Sequence, residues 1–338
     1  MLNPGIKELQ ISRQKLLDGL AANRGFEDGL YESAKNLYAQ QCHFIYELLQ
    51  NAGDAKATMV EFLLTEDALE FRHNGEKRFD IDDVDSITNY HHSTKKDSDA
   101  VGKFGMGFKA VFHYTTTPEI HSGDFHFRID RMFFPATDGV RTDEKLDGWT
   151  KFHFPFKHSE RTTEEIFHEV KAGLKDIGSD TLLFLKQINQ IECLFEDESY
   201  LKISKDEEDH LVRISRTDSL YGRTDTSYYL KFYRSLPAIV NGKRIEVALA
   251  YGLVPRRELE GSDPIEFLST DRFKIAPIDG RVYIYFPAQL EVSHLKFHIH
   301  GSFASPITRE SLSSCKGNED LLKEVADLAV ESLSFFER

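Results

Sequence analysis

Glu47-Leu48-Leu49-Gln50-Asn51-Ala52-Gly53-Asp54-Ala55 decides how this chain reads. On a helix, at about 100° per residue, Glu47, Asn51 and Asp54 fall in one narrow wedge. Phe44, Ile45, Leu48, Leu49 and Ala52 take the adjoining face. Polar groups aligned beside an apolar stripe can sit in a cleft, where a carboxylate acts as general base on water. An asparagine carbonyl one turn on suits a hard cation such as Mg²⁺, which favours oxygen ligands. A solvated face of an amphipathic helix accounts for the same pattern.

Outward from that stretch, periodicity predicts a helix over about 31–57, preceded by another over 6–22 that Asn23-Arg24-Gly25 stops. Strands are predicted at 58–64 and 69–72, then a short helix at 82–89 with Asp82 as its cap. Residues 90–100 are polar and rich in Ser, Lys and Asp, the composition of a loop. Strands at 125–131 and 151–156 precede a helix at 162–175, opened by the capping signal Thr162-Thr163-Glu164-Glu165. Beyond about residue 182 the pattern turns to strands: 191–195, 200–204, 211–216, 228–233, 246–251, 282–286 and 295–300, with a closing helix at 319–335. The acidic run Lys205-Asp206-Glu207-Glu208-Asp209 reads as a turn tip. His294, Lys296, His298 and His300 alternate with apolar residues, as on a strand with one wet face. The class is α+β, with expected domains 1–175 and 176–338.

A second chemical signal is Val101-Gly102-Lys103-Phe104-Gly105-Met106-Gly107-Phe108-Lys109. Its glycines let backbone N–H groups turn toward a ligand. A helix starting just after would add partial positive charge for a phosphate, and Lys103 and Lys109 add formal charge. The spacing is neither a Walker A loop nor a dinucleotide fingerprint. A tight structural turn accounts for it as well.

In this order and at these spacings, with Leu69-Glu70-Phe71-Arg72-His73-Asn74-Gly75 and Gly148-Trp149-Thr150 between and after them, the motifs resemble the GHKL (Bergerat-fold) ATPases. The nearest resemblance is to the sacsin-type N-terminal domain, a relative of the ninety-kilodalton heat-shock chaperones. It implies a Bergerat α/β sandwich, a mixed sheet with helices on one face, followed by a mostly β region ending in a helix. It also implies that Glu47 activates the attacking water, that Asn51 holds Mg²⁺, and that Asp54 and Ala55 line the nucleotide pocket. Gly102, Lys103, Phe104, Gly105, Met106, Gly107 and Phe108 would wrap the phosphates of ATP. Ser93-Thr94-Lys95 falls in the lid, with Ser93 and Lys95 facing phosphate, and Thr150 supports adenine. Phe303-Ala304-Ser305-Pro306-Ile307-Thr308-Arg309-Glu310 resembles the chaperones' middle-domain segment, in which an arginine, here Arg309, senses the γ-phosphate. A surface salt bridge is the plainer reading of Arg309.

The chain departs from the family at one place that matters. His73-Asn74-Gly75 stands where the family has Asp-x-Gly, whose aspartate accepts the adenine amino proton. A neutral His73 or the Asn74 carbonyl would accept instead. The implied activity is slow, Mg²⁺-dependent ATP hydrolysis that drives lid and domain closure in a chaperone-like or regulatory module. A larger bacterial, defence-type protein is a fitting setting. The alternatives are a nucleotide-sensing scaffold without turnover and a histidine-kinase-like relative.

The 338 residues carry 42 basic and 56 acidic side chains, a net charge of −14, which disfavours a broad nucleic-acid-binding face. No apolar run suffices to span a bilayer as a helix, and three scattered cysteines make no disulfide framework. The expectation is a cytoplasmic protein with no membrane partner. Its expected partners besides ATP are a protein client, its own C-terminal region or a second copy.

Overall fold

The computed structural model describes residues 4–21, 25, 29, 43–89, 107–141, 145–158, 160–240, 243–256, 265, 270–306 and 311–336. Of these, the residues from Pro4 to Ile177 and Ile191–Leu201 form one compact unit. Gly178–Gln190 and the residues from Lys202 onward form a second. The division is interleaved, because Ile191–Leu201 returns to the first unit.

The first unit opens with α1 (Pro4–Ala21) and continues with α2 (His43–Asp54). A hairpin, β1 (Met59–Leu64) and β2 (Ala68–His73), follows, then α3 (Ile81–Ile87) and a 3-10 helix at Gly107–His113. The strands β3 (Glu119–Ser122), β4 (Phe125–Asp130), β5 (Phe134–Ala136) and β6 (Thr150–Pro155) lead to α4 (Thr163–Lys175) and β7 (Gln190–Phe195). The sheet order is β7-β1-β2-β6-β3-β4-β5.

Period-two alternation assigns the two faces of this sheet. Val60, Phe62 and Leu64 on β1, Leu69, Phe71 and His73 on β2, and Thr150, Phe152 and Phe154 on β6 are all buried. Phe44 of α2 lies 6.4 Å from the Phe154 ring, and Phe108 of the 3-10 helix lies 6.0 Å from Phe152. Helix and 3-10 turn therefore cover the aromatic face. Charge lines the other face: Arg72 pairs with Glu61 and stacks on Trp149, and Lys151 pairs with Glu70 at 2.6 Å.

Two helix starts show their chemistry directly. Thr162 caps α4 through the predicted box with Glu165. The cap of α3 is Asp80, whose side chain accepts from Asp83 N while Asp83 answers the Asp80 N–H, so the predicted cap Asp82 sits inside the first turn.

The second unit holds β8 (Tyr200–Glu208), β9 (Leu211–Asp218), β10 (Arg223–Val240), β11 (Lys243–Pro255), β12 (Phe273–Ala276), β13 (Arg281–Ile284), β14 (Phe286–Val292), β15 (His298–Gly301) and α5 (Lys316–Phe336). The order is β8-β9-β10-β11-β15-β13-β14, with β12 beside β11. The β13/β15 pair is parallel and its neighbours are antiparallel, so the sheet is mixed. Pro237, which lacks an N–H, falls within the register shift between Ser235 and Ile239 of the long β10–β11 hairpin. Leu321, Val325 and Leu328 of α5 pack on Leu249, Phe232 and Phe303.

Two sequence expectations fail here. The acidic run continues β8 instead of turning, because its charges are matched: Lys205 donates to Leu185 O, Asp206 pairs with Arg213, and Glu207 pairs with Lys231. The turn comes at Asp209, with φ 51°. The predicted wet face at 294–300 is also wrong, since His298 and His300 are buried among Tyr283, Tyr229 and Phe184.

Burial holds both imidazoles near a pKa of about 4, below the usual 6.5. Between pH 6.5 and 4 the unfolded chain takes up protons that the folded chain refuses, so stability falls as pH falls through that window and levels below it. Urea unfolding across this range should show the loss, and His300→Phe should flatten the slope. A second expectation concerns Asn318, 4% exposed, whose side chain bonds Ala304 N, Ala304 O and Ser313 O. Asn318→Ala strands those backbone groups and should cost about 2–3 kcal/mol in denaturant titration.

Candidate functional site

The α2 helix presents its apolar stripe to the sheet through Phe44, Ile45, Leu48, Leu49 and Ala52, all buried. That docking turns Glu47 inward as well, and it is only 8% exposed. Its carboxylate rests against the start of the 3-10 helix: a Cβ on Gly107 would overlap Glu47 Oε2. Only glycine permits that approach. One turn back, His43 Nε2 lies 3.7 Å from Glu47 Oε1.

Asn51 is half-buried on the same helix, and its side-chain amide has no hydrogen-bond partner among the described residues. Asp54 is exposed at the end of the helix, close enough that its charge helps raise the pKa of Lys77, behind the larger effect of the Asp83 hydrogen bond. Ala55 O accepts from Lys77 N at 3.2 Å. The backbone at Gly75 presses on this corner, since a Cβ there would stand 2.7 Å from Ala55 O and 2.9 Å from His73 Nδ1.

His73 is 3% exposed and closes the inner face of β2. Its Nδ1 accepts from Gly75 N at 3.1 Å. Burial, and secondly the charge of Arg78, lower its pKa to about 4, so the ring is neutral at pH 7. Directly across the β2/β6 ladder stands Thr150, fully buried, and its hydroxyl is 2.7 Å from that of Ser122 on β3. Ser122 Oγ also accepts from Phe79 N at 3.1 Å. His73, Thr150 and Ser122 thus make a polar row at the end of an aromatic face.

Arg78 ties the edges of this corner together by donating to Gly75 O and Gly148 O. Gly148 has φ +83°, a conformation that favours glycine. Neither Arg78 nor Ser122 was singled out in the sequence. Arg78 falls in the Glu76-Lys77-Arg78-Phe79 run that follows Gly75. Ser122 left no signal beyond its place at a strand end.

Three sequence expectations need correction. Asn74 offers no free acceptor: its Oδ1 accepts from Thr58 N and Met59 N, each at 2.9 Å, and its Nδ2 donates to Thr58 Oγ1. Its work is to fasten the start of β1. His73 cannot accept a base's amino proton through Nδ1, because Gly75 has taken that lone pair. Lys109 supplies no charge to a phosphate. It is 2% exposed, donates to Ile87 O and Met132 O, and burial lowers its pKa to about 7. The expected helix after the glycine run is a 3-10 helix, Gly107–His113.

Glu47, Gly107, Asn51, Ala55, His73 and Thr150 all belong to the first unit, and Phe108 packs 6.2 Å from Phe154 beneath them. Ser93, Lys95, Gly102, Lys103, Phe104, Gly105, Met106 and Arg309 lie outside the described residues. Among the described residues no cluster of three or more His, Cys, Asp or Glu could hold a metal, and no helix is long and apolar enough to cross a membrane.

No family model matches the chain. It is 27% identical over 337 residues to the protein NO VEIN of Arabidopsis thaliana, an alignment covering 90% of this chain and 12% of that protein. It is 28% identical over 225 residues to human sacsin, covering 50% of this chain and 5% of sacsin. The chain therefore spans a small part of either relative. Among solved structures, the N-terminal domain of a DNA repair protein is similar at TM-score 0.48 and 11% identity, over 91% of this chain and 98% of that one. The B-subunit of DNA gyrase from Myxococcus xanthus is similar at TM-score 0.49 and 11% identity, over 91% and 96%. The chain, α+β in architecture, is thus similar to a segment of NO VEIN and to a segment of sacsin.

Proposed function

We propose that the first unit is an ATPase-type module: it binds a purine nucleoside triphosphate with Mg²⁺ and hydrolyses it slowly. The observation that carries this reading is Glu47, a buried carboxylate on a helix, seated against Gly107 at the end of the glycine-rich segment. A phosphate held by that segment would lie within reach of the carboxylate.

In the proposed reaction Glu47 accepts a proton from a water molecule as the water oxygen bonds to the γ-phosphorus. The bond from that phosphorus to the bridging oxygen breaks, and the nucleoside diphosphate leaves with the electron pair. Mg²⁺ would neutralise charge on the phosphate oxygens. Asn51 suits it, since its amide oxygen is hard, without a hydrogen-bond partner among the described residues, and one turn from Glu47. Mg²⁺ is commonly held by one or two protein oxygens together with substrate phosphate, so a single protein oxygen such as that of Asn51 suits this cation. Ala55, His73 and Thr150 would take the base. The role given to Arg309 is carried by its motif alone. Chaperone-like or regulatory use of the cycle, in a cytoplasmic protein, follows the resemblance to the sacsin-type domain. A nucleotide-sensing scaffold is the second reading, favoured by the mere half-burial of Asn51 and the exposure of Asp54.

Purified protein should release phosphate from ATP only with Mg²⁺, and Glu47→Ala should abolish release while calorimetry still detects binding. Undiminished release by that variant would remove Glu47 from the mechanism. Gly107→Ala makes a finer test. Its methyl displaces the Glu47 carboxylate, so turnover should fall at least tenfold with nucleotide affinity changed less. Equal losses in both would mean that Gly107 serves binding alone.

A further inference from the structure

The base end of the proposed site has an unusual polarity. His73 is 3% exposed, yet one of its ring nitrogens has no hydrogen-bond partner among the described residues. The other, Nδ1, accepts the Gly75 amide proton at 3.1 Å. A backbone N–H can only donate, so that bond fixes the ring: Nδ1 carries the lone pair and Nε2 carries the hydrogen. Protonation would put a second hydrogen on Nδ1, against the Gly75 N–H. In every state compatible with this bond Nε2 is a donor.

Among the described residues no neighbour accepts from it. Asn74 has spent both ends of its amide on Thr58 and Met59. Arg78 is cationic and donates to Gly75 O and Gly148 O. The rings of Phe71 and Phe152, 5.9 and 6.2 Å away, are apolar walls. Across the ladder, Thr150 and Ser122 share one hydrogen bond and Ser122 also accepts from Phe79 N, which leaves the pair one O–H to donate and two lone pairs to accept with. A donor fixed in this way pairs with an acceptor on a ligand and not with a second donor.

We propose that this corner reads position 6 of a purine and prefers an oxygen there, a 6-oxopurine such as hypoxanthine or guanine, over the 6-amino group of adenine. Nε2–H of His73 donates to O6, and the Thr150–Ser122 hydroxyl pair accepts the N1–H beside it. With adenine the amino group meets Nε2–H donor to donor, unless the base shifts to offer N1 instead. ATP is therefore a weaker ligand rather than an excluded one. This rests on the triphosphate reading above and deepens it.

Calorimetric titration with the Mg²⁺ complexes of inosine triphosphate and ATP tests the preference, because the two bases differ only at the 6-position group and the adjoining N1. The native chain should bind the inosine compound about tenfold tighter. His73→Asp, whose carboxylate accepts but does not donate, should reverse the order. Nitrogen NMR of the native protein gives a reading that needs no variant: His73 should show the Nε2–H tautomer, and its Nε2 resonance should move with inosine triphosphate. ATP binding as tightly as, or tighter than, inosine triphosphate would overturn the preference and leave the triphosphate reading standing. An Nδ1–H tautomer would overturn it equally. No binding of either nucleotide would sink both.

Discussion

A carboxylate resting on a Cα that carries no side chain is the contact on which the chemistry proposed for the first unit depends. Glu47 can be turned inward only because α2 docks its apolar stripe on the sheet, and it can stay there only because residue 107 is glycine. Moved one position along α2, the acid would join the buried Leu48 or leave the wedge that Asn51 shares. A Cβ at residue 107 would force the carboxylate to swing away. Sequence position on the helix and the absence of a methyl group thus act together, and neither alone would bring the acid against Gly107.

The second organising constraint is the register of the sheet. Period-two alternation puts Phe71 and His73 on one face of β2, and Phe152 and Thr150 on the matching face of β6. The aromatic pairs supply most of the apolar cover. The polar members stack at one end, where the strands finish and the Gly75 and Gly148 turns begin. A slip of one residue would send His73 and Thr150 outward to join Arg72 and Lys151 on the charged face. Arg78 clips the two turns to each other, and its charge adds to the larger effect of burial in keeping the imidazole neutral.

Much of this was legible in the sequence. The wedge of Glu47, Asn51 and Asp54, the β1–β2 hairpin, the Thr162 capping box and the closing helix all follow from local periodicity and capping chemistry. Local signals failed where partners distant in the chain decided the outcome. Lys205 and Glu207 extend a strand because Leu185 and Lys231 receive them. His298 and His300 are buried because Phe184 and Tyr283 close over them. Lys109 reads as a phosphate cation until Ile87 O and Met132 O claim it. No pattern within a window of ten residues holds that information.

The position before the Gly75 turn shows how a single lone pair can set the character of a site. A carboxylate there would have acceptor capacity to spare: it could take the Gly75 N–H and still accept from a ligand. A neutral imidazole has one lone pair in its plane, and the turn consumes it. What remains is a donor whose direction the ring's packing between Phe71 and Phe152 restricts. A histidine at this place therefore differs from an acid by more than the loss of a charged bond. It changes the sign of the hydrogen bond offered to whatever occupies the corner, and the cause is the backbone geometry of two residues rather than the burial of the ring. Burial contributes a different effect, keeping the imidazole uncharged across the neutral range so that its lone donor is not joined by a second.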